Sequence, residues 1–300
     1  MFNKILVATG RPDNFDAPEL TAIQIAAKYN SKLYFLHVIE SGKRKDRYFM
    51  KHFKTGKNVF FSNDYVQAVG HQIKRYCDEI IAPDLKYKIK VIPGSPGEEI
   101  ITWAHQEYVD IILMGGHTES DRKVDETWLK RTIGRTVQDV IIREHYPVMI
   151  VSRAVPEEKL KFKKIMVSID FSESCKTALF FAANLAQRNE AKLFVYYMAP
   201  ACPWPRGRQT DYRDIADIMQ HRFDKLCHII PDETEYKFEE WEGIMSHIEI
   251  LKYADQKDID LIVLGSHTED TNERLYTGST LEGVSCKADC PVIVISGRKI

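Results

Sequence analysis

Two stretches of the chain repeat one pattern: "DIILMGGHTESD" from Asp110 to Asp121 and "DLIVLGSHTEDT" from Asp260 to Thr271. Each is an aspartate, four apolar residues, a glycine, a variable residue and then His-Thr-Glu. An apolar run of that length and composition reads as a strand buried on both faces, and the glycine marks its end. A histidine, a threonine and an acid beside a glycine suit three chemistries, namely metal ligation, nucleophilic catalysis and phosphate binding. The surrounding sequence weighs among them.

The repetition extends outward. "KILVA" at Lys4 matches "KIMVS" at Lys164, and "KLYFLH" at Lys32 matches "KLFVYY" at Lys192, both 160 residues apart. "PVMIVS" at Pro147 matches "PVIVIS" at Pro291 at an offset of 144, and the aspartate-led runs are 150 apart. The falling offset places about ten extra residues of the first copy between Lys32 and Asp110, and six more between Thr118 and Gly134. Two copies make a duplicated domain rather than a solenoid. The expected domains are 1–153 and 164–300, joined by a polar, proline-bearing linker over 154–163.

Within the second copy, strands are expected near Lys164–Ile169, Lys192–Tyr197, Glu235–Glu239, Asp260–Leu264 and Pro291–Ile295. Helices are expected near Ser172–Arg188, Asp211–His228, Ile244–Gln256 and Ser279–Ala288. Strands that alternate with helices and read as continuous Val/Ile/Leu runs predict an α/β fold: two tandem Rossmann-like domains, each a five-stranded parallel sheet with helices on both faces. In the first copy, "KYKIKVI" leads into "GSPGEE", where Ser95 and Glu98 have capping-box spacing and Pro96 suits the first helical position. That glycine-rich turn therefore has a structural explanation. Two excursions follow the second strands. Ser41–Asn58 is rich in Lys and Arg with Asp46 its only acid, and Ala199–Gln209 holds three prolines. Both read as solvated loops at the edge where strand carboxyl ends open, and the basic run is open to an anionic partner.

Composition narrows the function. A formal net charge of -1 with 28% charged residues is the balance of an ordinary soluble protein, without the basic excess of a nucleic-acid binder. No apolar run approaches the roughly 20 residues needed to span a bilayer, so no membrane role is expected. The start "MFNKILVATG" reads as a strand rather than a signal peptide. The six cysteines form no C-x-x-C pair and read as reduced thiols of a cytoplasmic chain. Zinc needs three or four ligands at close range, whereas each copy supplies one histidine with acids nearby, so no metal is assigned. Ser266 and His267 are sequence neighbours, which does not set up a nucleophile–base geometry. No residue is placed to activate water, so no catalytic residue is assigned and the chain is not expected to be an enzyme.

Phosphate binding remains, alongside the alternative that His117 and His267 line the loop and hydrogen-bond its backbone. In open α/β sheets ligands sit outside the carboxyl ends of strands, where the strand order reverses. Gly115 and Gly265 end the fourth strand of each copy. A helix is expected to start soon after, at Gly134-Arg135-Thr136 and at Gly278-Ser279-Thr280. Its unpaired N–H groups and hydroxyls form an anion cradle. No G-x-G-x-x-G follows the first strand and no Walker-type P-loop occurs.

With these residues in view, the second copy, "DLIVLGSHTEDTNERLYTGSTLEGVSCKADCPVIVI", resembles the carboxyl half of a universal stress protein domain. ATP-binding members of that family carry G-x2-G-x9-G-[S/T] there. Gly265, Thr268, Gly278 and Ser279 take those places with the spacing intact, and Asp170 in "VSIDFSES" matches the acid of the nucleotide pocket. The likeness covers both halves, so the chain resembles a tandem universal stress protein, with an adenine nucleotide alpha hydrolase-like fold. The resemblance implies a cytoplasmic stress-response regulator binding ATP or a related nucleotide. The implied pocket is Asp170, Gly265, His267, Thr268, Gly278, Ser279 and Thr280 in the second copy. In the first copy it is Gly115, His117, Gly134 and Thr136. It also implies that the two copies pack as an internal pseudo-dimer, with homo-oligomers possible. The copies depart from the family where Thr118 and Thr268 replace its second glycine, since a side chain there crowds the backbone's approach to phosphate. The first copy departs further, with Arg135 for the small hydroxyl residue and Gly10 at the position of Asp170. The alternative reading is a scaffold or interaction protein whose pockets have lost their ligand.

Overall fold

The two glycine-terminated runs become the fourth strands of two five-stranded parallel sheets, one in each of two units that divide between Leu160 and Lys161. The computed structural model describes residues 2–44, 47–51, 57–60, 62–116, 133–143, 145–200, 212–266 and 277–296, with parts of 42–60, residue 200 and residues 212–216 described by their backbone alone. Unit 1 comprises β1 (Lys4–Ala8), α1 (Ala17–Tyr29), β2 (Lys32–Arg44), β3 (Arg47–Lys51), β4 (Asn58–Phe60), α2 (Asn63–Ile80) and β5 (Tyr87–Gly94). It continues with α3 (Pro96–Glu107), β6 (Ile111–Met114), α4 (Arg135–Arg143) and β7 (Val148–Ile150). Unit 2 runs β8 (Lys164–Ile169), α5 (Glu173–Asn189), β9 (Lys192–Pro200), α6 (Tyr212–Asp224) and β10 (Tyr236–Gly243). It ends with α7 (Ser246–Lys257), β11 (Leu261–Ser266), α8 (Ser279–Lys287) and β12 (Val292–Ser296).

The sheets have the order β5-β2-β1-β6-β7 and β10-β9-β8-β11-β12. In each, the chain moves outward from the first strand in one direction and then returns to its other side. The order therefore reverses between β1 and β6, and between β8 and β11. Their central strands are fully apolar because both faces are covered: Ile5, Leu6, Val7, Ile165, Met166, Val167 and Leu261 to Val263 have no exposed surface. Alternation along each strand shows the two layers. On β2, Phe35 meets Phe15 and lies on the face opposite Tyr34, whose ring stands edge-on to Trp103 of α3 at 5.7 Å. In unit 2, Phe223 of α6 stacks on Phe238 at 4.3 Å, while Tyr253 of α7 packs on Tyr196 and Trp241 from the other side.

The aspartate that opens each repeated run belongs to the far end of the sheet from the glycine. Asp110 accepts hydrogen bonds at Oδ2 from the backbone N–H groups of Asn3 (2.6 Å) and Lys4 (2.9 Å). Asp260 does the same for Lys163 (2.7 Å) and Lys164 (3.0 Å). Lys4 and Lys164 in turn donate from Nζ to the last-turn carbonyls of Glu107 (2.7 Å) and Lys257 (3.1 Å). The repeated Asp and Lys thus clamp strand one to strand four and to the helix before it, which sets the register that brings Gly115 and Gly265 level with the ends of β1 and β8.

Some expectations are corrected. The basic run of Ser41–Asn58 is not simply a loop. β2 continues to Arg44 and pairs antiparallel with β3, which pairs with β4, so the described part is a short antiparallel extension of β2. Ser95 does cap α3 and Pro96 opens it, yet the Ser95 side chain makes no capping bond. Glu98 reaches Arg143 instead (3.6 Å). Within the segment read as a linker, Lys159–Lys161 forms a 3-10 turn, with Leu160 and Phe162 buried beside it. The excursion after Pro200 lies outside the described residues.

Candidate functional site

In unit 2 the reversal of strand order brings Asp170, just past β8, toward Gly265 near the end of β11, and the start of α5 joins them. A Cβ on Gly265 would lie 2.8 Å from both the carbonyl carbon and oxygen of Ser174 and 3.1 Å from the Cys175 nitrogen. Glycine is needed there so that the strand end can rest on the helix backbone, which is a packing reason independent of any ligand. Asp170 is exposed. Its Oδ1 accepts hydrogen bonds from the Ser172 N–H (3.0 Å) and the Cys175 thiol (2.6 Å), and its own N–H donates to Cys175 Sγ (3.2 Å). Burial, and next the hydrogen bond to Asp170, push the Cys175 thiol up to about 12, so it stays a protonated donor at neutral pH.

The other wall is the start of α8. Gly278 caps this helix at φ 92° and ψ 138°, in backbone space that favours glycine, and a Cβ there would meet nothing within 4 Å. A glycine cap brings no side-chain acceptor of its own to the first-turn N–H groups, and among the described residues no side chain caps them. Ser279 is exposed and Thr280 half-buried at the first two positions. Glu282, the acid of that turn, is buried and accepts a bond from the Thr277 hydroxyl (3.1 Å). His267 and Thr268 lie outside the described residues.

Three further residues surround Asp170 that the repeat did not single out. Phe171 has φ 64°, a left-handed conformation uncommon for a non-glycine residue, and such residues cluster at binding sites. Its ring centroid is 5.1 Å from that of Tyr197, and the Arg222 guanidinium carbon lies 5.8 Å over it. Burial, followed by the charge of Glu240, raises the Tyr197 phenol, which keeps its proton. An acid, two aromatic rings and a cation therefore share the edge. The sequence signals only Phe171 among them, as the Phe after the acid in "IDFSES".

Unit 1 builds the same edge differently. Gly10, at Asp170's position, is exposed, and a Cβ there would meet nothing within 4 Å. At the same offset of 160, α5 begins at Glu173 but α1 begins only at Ala17, so a turn of helix is replaced by loop. Phe15 takes the place of Cys175. It is buried and stacks on Phe35 (5.2 Å, 16° between planes), with Tyr76 5.8 Å away. The Tyr76 hydroxyl donates to the Asp13 carbonyl. Glu19 is buried and accepts from the Asp16 N–H at 3.1 Å, and desolvation pushes its carboxyl up to about 7. His37 Nδ1 sits 2.9 Å from the Thr9 carbonyl, and burial lowers its proton affinity. The N–H of Gly134, which is buried, donates to the Gly116 carbonyl at 2.9 Å, which ties the start of α4 to the glycine pair that follows β6. Gly115 and Thr136 are half-buried near this junction and Arg135 is exposed. His117 and Thr118 lie outside the described residues. The sites thus share strands and glycines, while the acid and the thiol belong to unit 2.

Among the described residues no group of three or more His, Cys, Asp or Glu is arranged to hold a metal ion, and no helix is long and apolar enough to cross a membrane.

A family model, the universal stress protein family, matches this chain twice, over residues 1–152 and 161–296. A universal stress protein of Methanocaldococcus jannaschii is 26% identical over 148 residues, which cover 46% of this chain and 84% of that protein. Universal stress protein A homolog 1 of Coxiella burnetii is 25% identical over 145 residues, 45% of this chain and 97% of that one. Among solved structures, a universal stress protein of Archaeoglobus fulgidus aligns with a TM-score of 0.65 over 98% of this chain and 96% of its own, at 18% identity, a likeness of fold. Two copies of the domain, each with the strand order 3-2-1-4-5, leave one conclusion: the chain belongs to the universal stress protein family, in tandem form.

Proposed function

We propose that unit 2 binds ATP or a related nucleotide and that the chain acts as a nucleotide-responsive stress regulator rather than an enzyme. The observation that carries this reading is the start of α8, where Gly278 at φ 92° is the N-cap and, among the described residues, no side chain caps the first-turn N–H groups. It stands across the reversal point from an exposed acid and an aromatic pair. Helix N–H groups and the helix dipole attract phosphate. Phe171 and Tyr197 offer a base a flat apolar contact, and Asp170 offers an acceptor for a ribose hydroxyl. These groups offer an anion cradle, a stacking face and a ribose acceptor, which supports binding rather than turnover.

A change at Ser279 tests the reading without disturbing the fold. Ser279→Glu places a carboxylate at the first helical position, where the dipole favours it by about 0.3–1 kcal/mol, but opposite the phosphates. Wild type should gain melting temperature with millimolar ATP, and Ser279→Glu should keep its own melting temperature and lose the gain. Calorimetry showing no heat and no stabilisation of wild type at millimolar ATP would overturn the proposal.

A further inference from the structure

We infer that Cys175 is the positioning residue of the unit 2 site: its thiol holds the Asp170 carboxylate in the orientation a nucleotide meets. This rests on the nucleotide reading of unit 2 and adds a residue that the family's sequence motif does not include. The geometry is reciprocal. Sγ donates to Asp170 Oδ1 at 2.6 Å and accepts from the Asp170 N–H at 3.2 Å, so one side chain fixes both the backbone and the carboxylate of the acid. The Ser172 N–H holds the same oxygen at 3.0 Å, which directs Oδ1 toward the protein and gives the carboxylate a set rotation. Cys175 is 4% exposed, its backbone N–H donates to the Ser172 hydroxyl at 3.4 Å, and the thiol's other acceptor, the Ser168 carbonyl, is farther away at 3.9 Å. Gly265 completes the arrangement, because any side chain there would strike the Ser174–Cys175 backbone. Strand end, helix start and acid form one connected unit through the thiol. In unit 1 the equivalent residues are Phe15 and Gly10, so thiol and acid are absent together.

The test is a double-mutant cycle on the full chain, with ATP affinity read by calorimetry and melting temperature as the folding control. Cys175→Ala should weaken ATP about tenfold, the loss expected for one hydrogen bond to a charged group. Cys175→Ser, which keeps a donor, should recover most of it. In an Asp170→Ala background, Cys175→Ala should change the affinity no further. Wild-type affinity in Cys175→Ala, or an undiminished effect of Cys175→Ala in that background, would overturn the inference. A second readout needs no nucleotide. The S–H stretching band of Cys175, assigned by difference from Cys175→Ser, should lie below that of the other thiols and rise in Asp170→Ala. A band indifferent to Asp170→Ala would overturn the inference whatever ATP does. Failure of wild type to bind ATP would count against the nucleotide reading alone, and the infrared band would then decide the thiol–acid bond.

Discussion

The carboxyl edges of the two units differ at one helical turn. In unit 2, Ser172 caps α5, and its hydroxyl accepts from the Cys175 N–H at 3.4 Å. In unit 1 the same position is Pro12, which has no hydroxyl. The cap moves to Asp16, where Glu19 closes it, and α1 starts a turn later. The residues freed from the helix become a loop, and Phe15 turns inward onto Phe35. Two domains with one strand order thus differ in whether an acid can be held at the mouth. Gly10 and Phe15 withhold the acid and the thiol, and the cap residue sets where the helix begins.

The largest expected effect concerns the acid unit 1 buries in making that new cap. Glu19 has a folded pKa of about 7, above its ordinary 4.5, so its charged form is disfavoured in the folded state. Its contribution is most favourable below pH 4.5 and is lost as pH rises toward 7, by up to about 3 kcal/mol. Glu19→Gln removes this dependence. In urea unfolding, the variant should gain on wild type by about 2 kcal/mol between pH 5 and pH 7.5. A difference independent of pH would mean the two caps are electrostatically alike.

An intermediate effect is expected at Gly265. Gly265→Ala drives a methyl into the Ser174–Cys175 backbone and should cost about 1–3 kcal/mol. ATP affinity should fall with it, since the helix start that holds Asp170 moves. Unchanged affinity with lowered stability would separate the packing of α5 from the placing of the acid. The smallest effect is expected from Gly10→Asp. The site is exposed with open space around it, so stability should stay within about 0.5 kcal/mol. ATP stoichiometry should stay as in wild type, because Phe15 still stands where the thiol would be. A doubled stoichiometry would show that unit 1 lacked only its acid.

Much of the fold is legible in the sequence. The Val/Ile/Leu runs could only be strands covered on both faces, and the expected first strand of the second copy, Lys164–Ile169, is found over those residues. Three of the four helices expected there lie within about two residues of the observed ones, because caps and periodicity are local. The helix expected over Asp211–His228 ends at Asp224 and gives way to a 3-10 turn at Cys227–Ile229. β10 runs past the expected end of the third strand at Glu239, through Glu240, Trp241 and Glu242, because the acids of an edge strand break the apolar run that marks a buried one. The basic run hid strands for a related reason, since its charge pattern reads as a solvated loop while its pairing depends on partners elsewhere. Among the expected site residues, Gly265 and Gly278 draw notice through their spacing, and Asp170 through the family resemblance. Cys175 and Arg222 do not, because their roles depend on where α5 starts and where α6 lies.

The crossing of the last two helices in each unit separates local from tertiary information most clearly. In unit 1, α3 offers Gly97 and α4 offers Asp139, whose Cβ lies 2.9 Å from where a Cβ on Gly97 would be. In unit 2 the large and small residues change sides: α7 carries His247 and α8 carries Gly283, with the imidazole 2.6 Å from the missing Cβ. Position by position the copies disagree at both places, and neither glycine has a local reason to be there. The sequence by itself determined the duplication, the alternation of strands and helices, and the glycines at the strand ends, because these follow from local periodicity and backbone preference. Only the tertiary structure decided the compensated helix crossing, the thiol that holds the acid, and the inward turn of Phe15 onto Phe35. Each depends on side-chain volumes or hydrogen-bonding groups matched across separate elements, where a combination of residues is constrained and no single residue is.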